Sequence, residues 1–503
     1  MTLLDMLAQS AGRTPDRPAF VFRERRLSYG ELRRCAFVLG DRLRALGVNR
    51  GDRIVMMLPN VPEFGVGYFG ILAAGGTVVP LNPLLKAEEV RYVLEDSGAA
   101  AILCLQASYA LLQGARNDLG LRIPILVLDA EPGTSETAAL GTLPPSKQIP
   151  DLALARPEAD DVAACLYTSG TTGHPKGALL THRNLLANVQ SFHKVLDVNA
   201  GDVFLAVLPL FHAYGGTVLL LEPLSAGATI VLEPRFVPDQ ILRAIALQGV
   251  TFFAGVPSMY AVLALLPRPA ADLSAWRLCI SGGAPLPPPV LEAFEAKYGV
   301  PIYEGYGPTE CAPVLTVNRP GGIRKVGSVG PAIPDVELRI LDEQGKPLPP
   351  GEVGEIVARG PNVMQGYLNR PEETAEVLQD GWYHTGDLGR MDPEGYCYIV
   401  DRKKDLILVG GLNVYPREVE LVLESHPAVA EAAVIGVPDP VRGEVPKGLV
   451  TLKDGQLVGP RELLQWSRQR LANYKVPRTI TIVPEFPKTA TGKILKTALR
   501  TTD

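Results

Sequence analysis

An α/β fold is expected for this chain: a large N-terminal domain of βαβ-type sheets with a small β-barrel-like subdomain, then a small α+β C-terminal domain. Three observations lead there. Short apolar runs alternate with amphipathic stretches through residues 1–330. From Val336 to Val400 the alternation gives way to short strand-like segments separated by Gly and Pro turns. Beyond Asp401 a helix–strand pattern resumes over a tail long enough for a separate domain.

The elements follow in order. Asp41–Gly47 closes a helix with glycine in the C′ position. Arg53–Leu58 is a buried strand, Pro62–Ala74 a helix and Thr77–Pro80 a strand, a spacing that implies parallel βαβ units. Glu131–Pro150, rich in Pro, Ser, Thr and Gly, is expected to be a loop. Val162–Leu166 is a strand, and a helix follows from Thr181. Val203–Leu208, Thr229–Leu232 and Leu278–Ser281 continue the alternation. Glu337–Leu341 and Glu355–Ala358 are short strands of the β subdomain. In the tail, Pro416 opens a helix to Glu424, in the first-turn position that proline tolerates. Ala428–Val437, Gly448–Leu452 and Thr479–Val483 read as strands, and Pro460–Ala472 as helix.

The chain has 503 residues, 47% hydrophobic and 20% charged, which suits several soluble cores. Net charge is −5, and the densest basic run, Arg23–Arg26, is interrupted by Glu24, so nucleic acid is not an expected partner. No apolar run reaches the ~18 residues of a spanning helix. The start, Met-Thr-Leu-Leu-Asp-Met-Leu-Ala, lacks a basic signal-peptide head. Six scattered cysteines without a Cys-x-x-Cys pair point to reduced thiols and a cytoplasmic location.

The segment Tyr167–Gly177, Tyr-Thr-Ser-Gly-Thr-Thr-Gly-His-Pro-Lys-Gly, holds five hydroxyl side chains, three glycines and Lys176. It lies between an apolar strand and a helix, the layout of a phosphate cradle. The glycine spacing and the absence of Gly-Lys-Ser/Thr exclude a Walker A loop. No Gly-x-Ser-x-Gly elbow accompanies it, so a protein nucleophile is not indicated.

This segment resembles the signature of the adenylate-forming enzymes, which include acyl-CoA synthetases, firefly luciferase and peptide-synthetase adenylation domains. The resemblance continues in order through Gly282–Pro285, Glu304–Glu310, Gly381–Leu388, Asp401–Asp405 and Pro487–Lys493, covering essentially the whole chain. It implies an N-terminal domain, 1–401, that binds ATP and a carboxylic acid. It also implies a mobile C-terminal domain, 402–503, that turns about a hinge near Lys404.

By the same resemblance, Thr168, Ser169, Gly170, Thr171, Thr172, Gly173 and Lys176 bind phosphates, and Gly283, Ala284, Glu304, Gly305 and Tyr306 contact the nucleotide. Thr309 reaches phosphate, while Glu310 with Thr168 holds Mg²⁺, a hard ion that usually takes one or two carboxylates. Asp387 and Arg402 hold the ribose. Lys493 bridges acyl carboxylate and α-phosphate, a task suited to a compact cation. Gly410 and Gly411 line the passage for the pantetheine of coenzyme A. Luciferase-like members carry lysine at the position of Gly410, which disfavours an oxidative second step. His212 matches a histidine near the carboxylate. Phe252, Phe253, Val256, Met259 and Tyr260 resemble an acyl-pocket wall without the basic residue of malonate-activating relatives.

The implied activity is ATP-dependent formation of acyl-CoA, AMP and pyrophosphate, with medium- or long-chain fatty acids as the expected acids and aryl or cyclic acids as the alternative. Loading of a carrier protein is a second alternative, and a non-catalytic nucleotide-binding scaffold a third. Peripheral membrane contact, and a monomer or a homodimer, are both compatible with the sequence.

Overall fold

The computed structural model describes residues 1–129, 157–168, 175–489 and 492–500. The loop expected at Glu131–Pro150 lies outside the described residues. The chain divides into two compact units, residues 1–337 with 358–383, and residues 338–357 with 384–503.

The first unit is built on two large sheets. In the eight-stranded one, Phe252–Gly255 and Leu278–Ser281 are central, and Ile302–Tyr306 runs parallel beside Leu278–Ser281. In the seven-stranded one, Val162–Thr168 lies between parallel Thr77–Pro80 and antiparallel Lys176–Thr181. Both contain the parallel pairings that the alternating pattern implies, so the α/β expectation holds. Thr181 is the N-cap of the helix His182–Leu196 and forms a capping box with Asn184.

Between the sheets' strands run helices whose composition reflects their surroundings. Pro62–Ala73 is buried on all sides, which explains its lack of an amphipathic stripe. It crosses Tyr29–Ala45 at very short range. A Cβ added at Gly40 would stand 2.8 Å from Ala73 Cβ and 3.0 Å from its carbonyl carbon.

The second unit holds most of the five-stranded sheet that includes Gly354–Arg359, Trp382–Met391 and Cys397–Arg402. It ends in a second sheet whose long hairpin pairs Val429–Asp439 with Gly443–Leu452. That strand starts at Gly443, five residues before the expected Gly448, because Val429–Asp439 offers hydrogen-bonding partners along its whole length. The helix at Pro460 stops at Arg468 rather than Ala472. Pro416–Glu424 and Thr479–Ile482 fall where expected. The six cysteines form no disulfide, and five are buried. Among the described residues no helix is long and apolar enough to cross a membrane.

The helix crossing generates a stability test. Gly40→Ala gains up to about 1 kcal/mol in helix propensity. Overpacking against Ala73 costs about 1–3 kcal/mol and should win. Gly12, also helical, has nothing within 4 Å of an added Cβ. Thermal unfolding should therefore show a lower Tm for Gly40→Ala and an unchanged or higher one for Gly12→Ala. A higher Tm for Gly40→Ala would contradict the tight crossing.

Candidate active site

In the first unit, the expected residues gather around strand ends. Thr168 and Lys176 face each other as the last and first residues of paired strands. Ser169, Gly170, Thr171, Thr172 and Gly173, which join them, lie outside the described residues. The strand Lys176–Thr181 pairs on its other edge with Gly366–Tyr367. Tyr367 then does two things. Its ring lies 5.4 Å from Lys176 Nζ, and its hydroxyl donates to Glu310 Oε1 at 2.7 Å. Met364 N–H also donates to the Glu310 carbonyl at 2.7 Å. The expected phosphate lysine and the expected metal carboxylate are thus joined through a residue that the motifs did not single out.

Glu310 is 8% exposed and sits in the short helical turn Thr309–Cys311. Gly307 is required just before it, because a Cβ there would lie 1.7 Å from the Pro313 carbonyl oxygen. Among the described residues no group of three or more His, Cys, Asp or Glu could cage a metal. A single buried carboxylate with one oxygen held by Tyr367 fits Mg²⁺ of the kind that completes its shell with phosphate oxygens and water.

Gly283 and Ala284 follow the strand Leu278–Ser281, and Glu304, Gly305 and Tyr306 end the next strand, so the parallel order brings these two segments side by side. The Glu304 side chain turns inward and accepts from Leu286 N–H at 2.9 Å. Burial raises its carboxyl to about 7. Tyr214, also absent from the sequence-based set, packs its ring against the backbone at Gly282 and donates to the Ile280 carbonyl at 3.0 Å.

His212 caps the short helix Ala213–Gly216 by accepting from Tyr214 N–H on Nδ1 at 3.2 Å. That bond leaves Nε2 to carry the proton. Burial lowers the imidazole to about 4, so the ring is neutral at physiological pH and acts as a hydrogen-bond donor. One side of His212 opens on a small cavity whose other walls, Leu166, Leu185, Leu210 and Leu221 among them, bear no charge.

The expected acyl wall is corrected in part. Phe253 and Tyr260 belong to an aromatic core with Trp276, Phe294 and Tyr298. Tyr260 spends its hydroxyl on the Ile280 carbonyl at 2.7 Å. Phe252 stacks on Phe204 at 4.2 Å. All three are completely buried against protein. Alternation along a strand sends neighbouring side chains to opposite faces, and here both faces are covered. Val256 is the residue of this stretch that approaches the Gly283 turn, 3.6 Å from an added Cβ.

The second unit collects six other expected residues. Asp387 and Arg402 are cross-strand partners and form an ion pair at 3.1 Å. Asp387 is 5% exposed. Lys404 lies in the following turn, Lys403–Asp405. Arg402, Asp387, Lys404 and Asp405 all act on Lys493, whose ammonium is lowered to about 8, by desolvation first and by Arg402 second. The Lys493 chain keeps solvent contact, and water screens part of that effect, so the downward direction is the property that matters. Gly410 and Gly411 form the tip of the hairpin Ile407–Val409 and Leu412–Val414, both with positive φ, +59° and +82°. A two-residue turn of that kind demands such residues, so these glycines have a structural use whatever else passes them.

Comparison with known proteins places the chain in a family. Residues 7–368 match the model of the AMP-binding enzyme family, and residues 418–493 match the AMP-binding enzyme C-terminal domain. The chain is 40% identical to a long-chain-fatty-acid–CoA ligase of Bacillus subtilis, over 99% of this chain and 94% of the relative. It is 41% identical to a feruloyl-CoA synthase of an Amycolatopsis species, over 94% and 93%. The crystal structure of ATP-bound MatB from Rhodopseudomonas palustris superposes with a TM-score of 0.91 at 34% identity, over 99% of this chain and 98% of that one. The chain belongs to the AMP-binding enzyme family, among its acyl-CoA ligases.

His212 supplies a pH test. Its folded pKa of about 4 lies below the ordinary imidazole value of 6.5, so the unfolded chain binds more protons between them. Its contribution is complete above 6.5 and is lost as pH falls toward 4. His212→Gln should narrow the gap in Tm between about pH 7 and about pH 5. An equal or wider gap in the variant would show that His212 is not held neutral.

Proposed function

We propose that the chain activates an apolar carboxylic acid, of medium or longer chain, as its adenylate and transfers the acyl group to coenzyme A in the cytoplasm. The observation that carries this proposal is the assembly of Lys493 with the Asp387–Arg402 pair. A ribose diol donating to Asp387 would lie in the electrostatic neighbourhood of Lys493, which can then neutralise charge at the adjacent α-phosphate.

In the first half-reaction a carboxylate oxygen attacks the α-phosphorus, the bond to pyrophosphate breaks, and acyl-AMP forms. Two anions must meet, so Lys493 offsets the charge that develops between them. Lys176 and the hydroxyl of Thr168 would contact the outgoing phosphates. Glu310 would hold Mg²⁺, which would supply further neutralisation of the triphosphate. The neutral His212 donates from Nε2 to the acid and orients it. In the second half-reaction the coenzyme A sulfur attacks the acyl carbon and AMP leaves. Rotation of residues 402–503 about Lys404, with Gly410 and Gly411 beside the pantetheine, is proposed to admit that thiol.

Lys493→Ala should slow acid-dependent ATP–pyrophosphate exchange by about 10²–10³, the usual cost of one positioned electrostatic contact. The thioester step from preformed acyl-AMP should survive. Equal loss of both half-reactions would remove this division of labour.

The small cavity beside His212 has no charged wall to pair a second carboxylate, which weighs against a dicarboxylate. The feruloyl-CoA synthase relative favours a second possibility, an aryl acid. Measuring kcat/KM across straight-chain acids from acetate upward, with malonate and ferulate alongside, separates them. Each buried methylene adds up to about 0.8 kcal/mol, so three carbons should raise specificity some tens-fold before a plateau. A flat profile, or ferulate as best substrate, would reject the fatty-acid assignment and leave the adenylation chemistry intact.

A further inference from the structure

Asp96 lies on the helix Ala87–Ser97, outside every segment that the motifs mark. Its side chain is 10% exposed. Its two carboxylate oxygens are taken by groups from two distant parts of the chain. One accepts from the Tyr167 hydroxyl at 2.7 Å, and the other from the Arg370 guanidinium at 3.1 Å. Asn369 donates its side-chain amide to the Asp96 carbonyl at 3.2 Å. One turn earlier on the helix, Tyr92 donates to the Pro175 carbonyl at 2.9 Å, and its ring meets the edge of Tyr167 at 6.4 Å.

The residues held in this way are those that precede the candidate site residues. Tyr167 precedes Thr168, and Pro175 precedes Lys176. Arg370 closes the segment that carries Tyr367, whose hydroxyl holds Glu310 and whose ring faces Lys176. Leu368 N–H donates to the Gly177 carbonyl at 2.8 Å and locks this segment to the Lys176 strand.

We propose that Asp96 is a positioning residue that sets Thr168 and Lys176 in one arrangement with Glu310, through Tyr167 on one oxygen and Arg370 on the other. It touches neither substrate nor metal. Carboxylate hydrogen bonds are roughly twice as strong as neutral ones, which suits a rigid tie at a strand end. A nearly buried carboxylate also keeps its place only while both partners remain, so the two arms act as a unit. The consequence falls on the triphosphate, where small displacements are costly. This inference rests on the proposed adenylation site.

The test titrates ATP with Mg²⁺ into the full-length chain by calorimetry, for wild type, Asp96→Asn, Tyr167→Phe and the double variant. Each single variant should weaken ATP binding about tenfold, the effect of losing one hydrogen bond to a charged group. The double variant should lose about as much as either single variant, far short of the roughly hundredfold product expected of two independent links. Tm should fall by a few degrees at most, while the KM for the acid and the thioester rate from preformed acyl-AMP should stay near wild type. Tyr167→Phe removes a single oxygen and keeps the test available if Asp96→Asn unfolds. Unchanged ATP affinity in the folded variants overturns the proposal, as does a parallel fall in ATP affinity and thioester rate. A wild type that binds ATP but shows no acid-dependent exchange would defeat the proposed function, while the affinity comparison would still judge Asp96. No ATP binding by the wild type would overturn both.

Discussion

The hydrogen bond from Tyr367 to Glu310 is the constraint on which the first unit's candidate site depends. A carboxylate 8% exposed would ordinarily be costly, and it stands because a hydroxyl donor meets it at 2.7 Å. Tyr367 is there because its strand pairs with Lys176–Thr181, which in turn pairs with Val162–Thr168. One ladder of backbone hydrogen bonds therefore sets Thr168, Lys176 and Tyr367 on adjacent strands, and the Tyr367 hydroxyl ties Glu310 to them. Gly307 completes the arrangement, since no side chain fits between its backbone and the Pro313 carbonyl.

Burial assigns different tasks to similar groups. The imidazole of His212 is lowered and stays neutral, whereas the carboxyl of Glu304 is raised. Both shifts have the same cause, removal of the charged form from water. Around Lys493 a second cause is added, the repulsion of Arg402 and Lys404. An anion arriving in that cluster would relieve the repulsion, so the same electrostatics that lower the lysine favour a phosphate beside it. The Asp387–Arg402 pair supplies the fixed end of this cluster, because its members are registered across two strands of one sheet.

Much of this was legible in the sequence, because the information is local. Glycine at 410 and 411, proline at 416, and the alternating apolar runs act through backbone conformation within a few residues. The α/β class and the phosphate-cradle layout follow from segments that each carry their own composition and spacing, whereas the adenylating chemistry was implied by the family resemblance. The family resemblance rested on the same ordered segments, and the comparisons agree with it.

Other features required the folded chain. Phe253 and Tyr260 look like pocket lining in sequence, yet strand Phe252–Gly255 and helix Pro257–Leu265 turn them toward each other into an aromatic core with Trp276, Phe294 and Tyr298. Tyr214, Tyr367 and Asp96 carry no motif, and their importance lies in partners 41 to 274 residues away. The extent of the hairpin strand from Gly443 depended on what lay opposite it. The sequence by itself determined which segments bend, extend or coil and which chemical groups the chain can offer. The tertiary structure decided which of those groups meet and which are dehydrated, because burial and long-range pairing belong to the packed molecule and not to any window of residues.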